Sequence, residues 1–190
     1  MMDDKKDDAR QKGLENLVLL VLGAKDDELS VLHLEKEVFL LWNFHPAIRE
    51  YISYIKHYKG PYSADIQKII HHPFYLDNCW KYTPPARTDN LSGGFVELTE
   101  KGRNEYQRIY RAISKTESVK PLLTGIKMVR ELYDKLSLEE LLLIIYDTYP
   151  EYKEHSTVSR DIEVKKEYLA KRMRTKGIID DQRFNELVMR

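Results

Sequence analysis

The chain has 190 residues, 42% of them hydrophobic and 33% charged, with 31 basic against 31 acidic side chains and therefore no formal net charge. That is the make-up of one folded domain, with or without an appendage, and it excludes a disordered or fibrous chain. No apolar run approaches the roughly 20 residues that cross a bilayer, and one cysteine, Cys79, excludes an internal disulfide framework.

Met1 to Lys12 is almost wholly charged and polar. It reads as a flexible tail over residues 1–13, without the apolar stretch of a secretory signal, so a cytoplasmic protein without membrane attachment is expected. Leu14 to Leu22, closed by Gly23, predicts a first helix with a glycine stop. Ser30 offers an N-cap to a second, whose apolar face carries Leu32, Val38, Phe39, Leu41 and Trp42. Pro46 opens a third, short helix through Ile48, Tyr51, Ile52 and Ile55. Lys59-Gly60-Pro61-Tyr62 then breaks the chain, and Ser63 caps the next helix. Ile66, Ile69, Ile70 and Phe74 fall on one face of that helix, with Asp65, Gln67, Lys68, His71 and His72 on the other. Pro73 disfavours helical geometry at His72 and ends this helix.

Cys79 to Thr83 and Phe95 to Thr99 alternate in the manner of strands, and the turn-rich stretch Pro84 to Gly94 joins them into a hairpin. Thr99 caps a further helix, with Tyr106, Ile109, Tyr110 and Ile113 on its apolar side. The last third is helical by pattern. Pro121 stands in the first turn of one helix. The capping box Ser137-Leu138-Glu139-Glu140 opens another over Leu138 to Tyr149, apolar nearly all round and stopped by Pro150. Ser159 caps a helix to Lys176, closed by Gly177, and Asp180 caps a short last one. The expected class is mainly α with a small β-hairpin (α+β), organised as a domain over residues 14–116 and a helical extension over 117–190. The surplus apolar surface of Leu138 to Tyr149 suggests that this extension pairs two copies as a homodimer.

A Ser63-capped helix, a hairpin with a glycine-rich tip, and the step Leu98-Thr99-Glu100-Lys101-Gly102 together resemble the winged helix-turn-helix superfamily. The turn Gly60-Pro61-Tyr62-Ser63 and the step Tyr149-Pro150-Glu151-Tyr152 resemble the Panacea-type antitoxins and related prokaryotic winged-helix proteins, over roughly residues 14 to 152. The resemblance implies a DNA-binding regulator of transcription, or an antitoxin that neutralises a protein partner by direct contact.

For duplex DNA, a helix must enter the major groove with its polar face outward. Gln67, Lys68, His71 and His72 supply that face. Tyr62 and Ser63 stand at the helix N-terminus, where exposed N–H groups favour a phosphate. Lys81, Arg87 and Thr88 on the hairpin suit backbone or minor-groove contact. Between Lys56 and Arg87 five basic residues face only two acids, Asp65 and Asp77, a local surplus on a neutral chain. The bland alternative is a solvated face on a module that binds another protein, which Asp65 favours.

Other chemistry is poorly supplied. His71, His72, Asp77 and Cys79 lack the paired spacing of a metal site, so no metal or other cofactor is expected. Gly93-Gly94 reads as a turn and Glu139-Glu140 as part of a cap. The basic run Lys165 to Arg174 reads as a solvated face or a second nucleic-acid contact. No nucleophile, base and oxyanion donor can be assembled, so an enzyme is not expected.

Overall fold

A computed structural model describes residues 2–89 and 91–189; Met1, in the expected tail, and Asn90, in the expected hairpin loop, lie outside the described residues. The fold is mainly helical with a small antiparallel sheet. The chain divides into two compact units, Met1–Tyr54 with Ser63–Glu131, and Ile55–Tyr62 with Leu132–Arg190. The division lies at Glu131 rather than at residue 116, and a short internal segment joins the C-terminal unit.

The first unit opens with α1, Met2–Gly23, which begins at Met2 and not at Leu14. The charged segment has partners: Arg10 donates to the Tyr51 carbonyl at 3.0 Å and to Asp65 at 2.8 Å. A Cβ on Gly13 would lie 2.6 Å from the Tyr51 ring, so glycine here lets that ring rest on the helix. A two-residue strand β1, Leu29–Ser30, leads into α2, Val31–Phe44, where the Ser30 hydroxyl accepts from His33 N–H as the expected cap. Every residue of α2 from Val31 to Leu41 is buried, including Glu35, Lys36 and Glu37.

The charges inside are matched. Lys36 Nζ lies 3.3 Å from Glu35, and Arg130, itself 1% exposed, donates to Glu37 at 3.1 Å and to Asp27 at 2.5 Å. Arg130 stands on α5, Lys120–Tyr133, 93 positions from Glu37, so this pair ties α5 to α2.

After α2, a 3-10 turn over Pro46–Glu50 replaces the third helix expected to run through Ile55. The Trp42 indole N–H donates to the Ile52 carbonyl at 3.0 Å, in a segment that is not helical. The next helix is α3, Ala64–His71, followed by β4, Trp80–Thr83, β5, Phe95–Leu98, and α4, Glu100–Ile113. The sheet order is β1-β5-β4, all antiparallel, with Leu29 opposite Val96 and Trp80 opposite Leu98. Carbonyls of Gly94 and Ser92 accept from the first free N–H groups of α2, at Val31 and Leu32, both at 2.9 Å, which anchors the base of the hairpin loop.

The step Leu98-Thr99-Glu100-Lys101-Gly102 has a physical cause. Thr99 caps α4 through Gly102 N–H, and its own N–H and hydroxyl reach the carbonyls of Cys79 and Asn78 at 3.0 and 2.7 Å. A Cβ on Gly102 would sit 1.8 Å from the Cys79 carbonyl oxygen, so only glycine allows the helix this close to the start of β4.

In the second unit, β2, Ile55–His57, pairs antiparallel with β3, Gly60–Tyr62, around a two-residue turn. The glycine expected to break the chain instead opens β3 directly after this turn, with φ at +86°. Among the described residues the unit continues with α6, Leu138–Thr148, a 3-10 turn over Pro150–Tyr152, α7, Ser159–Val164, α8, Lys166–Thr175, and α9, Asp181–Met189. The helix expected from Ser159 to Lys176 is thus interrupted at Lys165. Ser137 and Glu140 form the expected capping box of α6. Leu141, Leu142, Leu143, Ile145 and Tyr146 are all buried within one chain, which covers the apolar surface that suggests a homodimer.

Candidate nucleic-acid interface

α3 forms because Ser63 accepts from Ile66 N–H and the isoleucines repeat at helical spacing. Ile66, Ile69 and Ile70 are buried, at 0 to 2% exposure, and the Trp80 indole N–H donates to the Ile70 carbonyl at 3.2 Å. This fixes the helix against β4. Lys68, His71 and His72, at i, i+3 and i+4, are exposed together. The His71 ring meets Tyr82 edge-on at 4.3 Å, so the end of α3 adjoins the hairpin.

Three of the residues expected at the interface lie elsewhere. Ser63 is fully buried, and its hydroxyl is occupied as the helix cap rather than presented to a phosphate. Gln67 turns inward, donating to the buried Glu35 carboxylate at 3.0 Å, because that acid needs a donor more than the surface needs an amide. Tyr62 belongs to β3 in the second unit, with its ring stacked on His57 at 4.6 Å.

The hairpin residues are exposed but not equivalent. Lys81 is next to Tyr82 on an alternating strand and so projects from the opposite face to the one that meets His71. Its Nζ lies 3.5 Å from Glu97, directly across the ladder. Arg87 and Thr88 are exposed in the loop beyond.

Asp65, the acid that argued against DNA, is held by Arg10 at 2.8 Å and by Ser53 N–H at 3.1 Å. Its charge is locally offset. Asp7 and Asp8 on α1 are exposed, however, and Asp7 shares a small hollow with Lys68. The face is mixed in charge rather than uniformly basic.

Two features of this face lie outside the sequence pattern. Phe74, expected on the inward face of α3, is 72% exposed. The helix stops at His71, so the i+8 register no longer applies beyond Pro73. The turn that carries Phe74 is held by Glu15 of α1. This fully buried carboxylate accepts from the N–H groups of Phe74, Tyr75 and Leu76 at 2.9, 2.8 and 2.7 Å. A lone acid in an apolar helical stretch is the only sequence signal for that role.

Among the described residues no cluster of three or more His, Cys, Asp or Glu is placed to hold a metal ion. Cys79 is buried, and burial pushes its thiol above the ordinary 9.0. The basic run is largely engaged in ion pairs, Lys165 with Glu139, Lys166 with Glu163, Arg172 with Glu140 and Arg174 with Asp181. Among the described residues, no helix is long and apolar enough to cross a membrane. Compared with known proteins, the chain matches no family model and resembles no curated protein.

Proposed function

We propose that the first unit is a winged helix-turn-helix module that binds duplex DNA, as in a prokaryotic transcriptional regulator. Its order of three helices, a hairpin and a helix, with a short strand pairing onto β5, supports this reading. The observation that carries it is α3 itself. Its isoleucines are packed against the unit while Lys68, His71 and His72 stand together in solvent beside the hairpin. A helix so presented fits the major groove, with Arg87 and Thr88 of the loop within the same unit for backbone contact.

The test is fluorescence anisotropy of a labelled duplex across a salt series. Lys68→Ala with Arg87→Ala weakens binding and makes the slope of log affinity against log salt shallower by roughly 0.9 for each phosphate no longer neutralised. Absence of salt-sensitive binding to any duplex at about 50 mM salt removes the proposal.

A second reading, a protein-binding module such as an antitoxin, is favoured by Phe74. A phenyl ring 72% exposed on a face of mixed charge suits a protein partner better than a phosphate backbone. Here Phe74→Ser abolishes co-purification of a partner and leaves any duplex binding unchanged.

A further inference from the structure

We propose that a cleft bounded by α1, α4 and α5 in the first unit binds a small planar organic anion of the aryl carboxylate class. The cleft holds about 480 Å³, within the range of small-ligand sites. Tyr106 and Tyr110, one turn apart on α4, line it with ring centroids 5.7 Å apart and planes 35° apart. Tyr106 is braced from behind: a Cβ on Gly23 would lie 2.3 Å from its ring, so the ring rests on bare backbone of α1. Buried Leu20 and Ile126 add apolar lining. The two rings and the aliphatic lining offer a flat ligand stacking and apolar surface.

The polar lining selects the charge of the ligand. Lys120 and Lys127, two turns apart on α5, both line the cleft and are exposed. No Asp or Glu is among the described lining residues, although acids equal bases over the chain as a whole. Each lysine has a carboxylate on its own helix or the turn before it, Glu117 for Lys120 and Glu131 for Lys127. Those acids are 84% and 61% exposed, and such solvent-facing pairs are weak enough to exchange for a ligand carboxylate. An aryl carboxylate satisfies both halves of the cleft, its ring against the tyrosines and its anion at the lysines.

Binding in this cleft does not require binding to DNA. The test titrates 2-naphthoate, and the neutral isostere 2-naphthamide, into the full chain by calorimetry. Two variants accompany it, Lys120→Gln with Lys127→Gln, and Thr124→Trp, which fills the cleft from an exposed position on α5. Circular dichroism verifies that each variant is folded. Saturable one-site binding of naphthoate is expected, weakened at least about tenfold by loss of the lysines and abolished by the tryptophan. Naphthamide should bind more weakly and be indifferent to the lysines. No saturation by roughly 10 mM overturns the proposal, as does naphthamide binding equal to naphthoate or affinity unchanged in the folded double-lysine variant. A chain that binds naphthoate but no duplex retires the DNA reading and leaves this one standing.

Discussion

Glu15 is the position at which one side chain determines the most backbone. Its two oxygens take four donors. Oε1 accepts from Phe74 N–H at 2.9 Å and from the Gln11 amide at 3.1 Å, and Oε2 accepts from Tyr75 and Leu76 N–H at 2.8 and 2.7 Å. Glu15→Gln keeps one acceptor oxygen. The least costly arrangement directs that oxygen at Tyr75 and Leu76, lets the Gln11 amide flip, and leaves Phe74 N–H without a partner. One unsatisfied group costs about 1–3 kcal/mol. Glu15→Met keeps the volume and removes every acceptor, leaving three N–H groups orphaned. At about 1–3 kcal/mol each, and with water reaching the two that are only part-buried, the loss is roughly 3–6 kcal/mol. That is a large share of the 5–15 kcal/mol typical of a whole domain.

Urea unfolding followed by tryptophan fluorescence reads these losses, because Trp80 is buried against the end of α3. Three midpoints are compared, parent, Gln and Met, at constant slope. The ordering parent, then Gln, then Met is required, with Met at least about 2 kcal/mol below Gln. If Met matches Gln, the carboxylate is not what holds residues 74 to 76, and the account of the turn after α3 is wrong.

Gly102→Ala forces a Cβ to within 1.8 Å of the Cys79 carbonyl, so either α4 or β4 must shift; a loss of at least about 3 kcal/mol in a thermal or urea melt is expected. Arg130→Met leaves the fully buried Glu37 without its principal cation and should cost roughly 3–5 kcal/mol, while the double variant with Glu37→Leu recovers much of it; a double variant no better than the single contradicts the pairing. Burial raises the phenols of Tyr106, Tyr133, Tyr146 and Tyr152 above their ordinary 10.0. The unfolded chain then loses these protons first, so their contribution is complete below about pH 10 and falls as pH climbs through and beyond it. Chemical melts between about pH 8 and 11 test this through a midpoint that declines only at the alkaline end.

Local chemistry makes much of the first unit legible in the sequence. Ser30, Ser63, Thr99 and Ser137 each cap the helix expected of them, and α1 ends at the expected Gly23. These signals act over three or four residues, which is why they can be read. What escaped was set by distant partners. Nothing local to α2 marks Glu35 and Glu37 as buried, because their partners Gln67 and Arg130 stand 32 and 93 positions away. The segment Ile55 to Tyr62 reads as helix and then a break, because three-residue strands are too short for alternation to register. Helical geometry alone places Gln67 outward. Its true direction is set by the desolvation of Glu35, a fact about α2 that no periodicity within α3 contains.

The two readings of α3 turn on the same short stretch of α1. A tail loose in solvent would leave Asp65 as an uncompensated acid on the contact face, opposed to phosphate. Because the stretch is helical, Arg10 reaches Asp65 and offsets it. The same helix also carries the exposed Asp7 to the hollow it shares with Lys68. One turn of α1 therefore removes one obstacle to DNA and introduces another. Net interactions between exposed charges amount to about 1 kcal/mol or less and are screened within about 10 Å at ordinary salt, so neither acid vetoes a duplex. Charges of both signs stand around α3, so affinity for DNA rests on the fit of α3 in the groove together with the cations of Lys68 and Arg87. A protein partner would instead rely on Phe74. The steepness of the salt dependence is thus the quantity that separates the two readings.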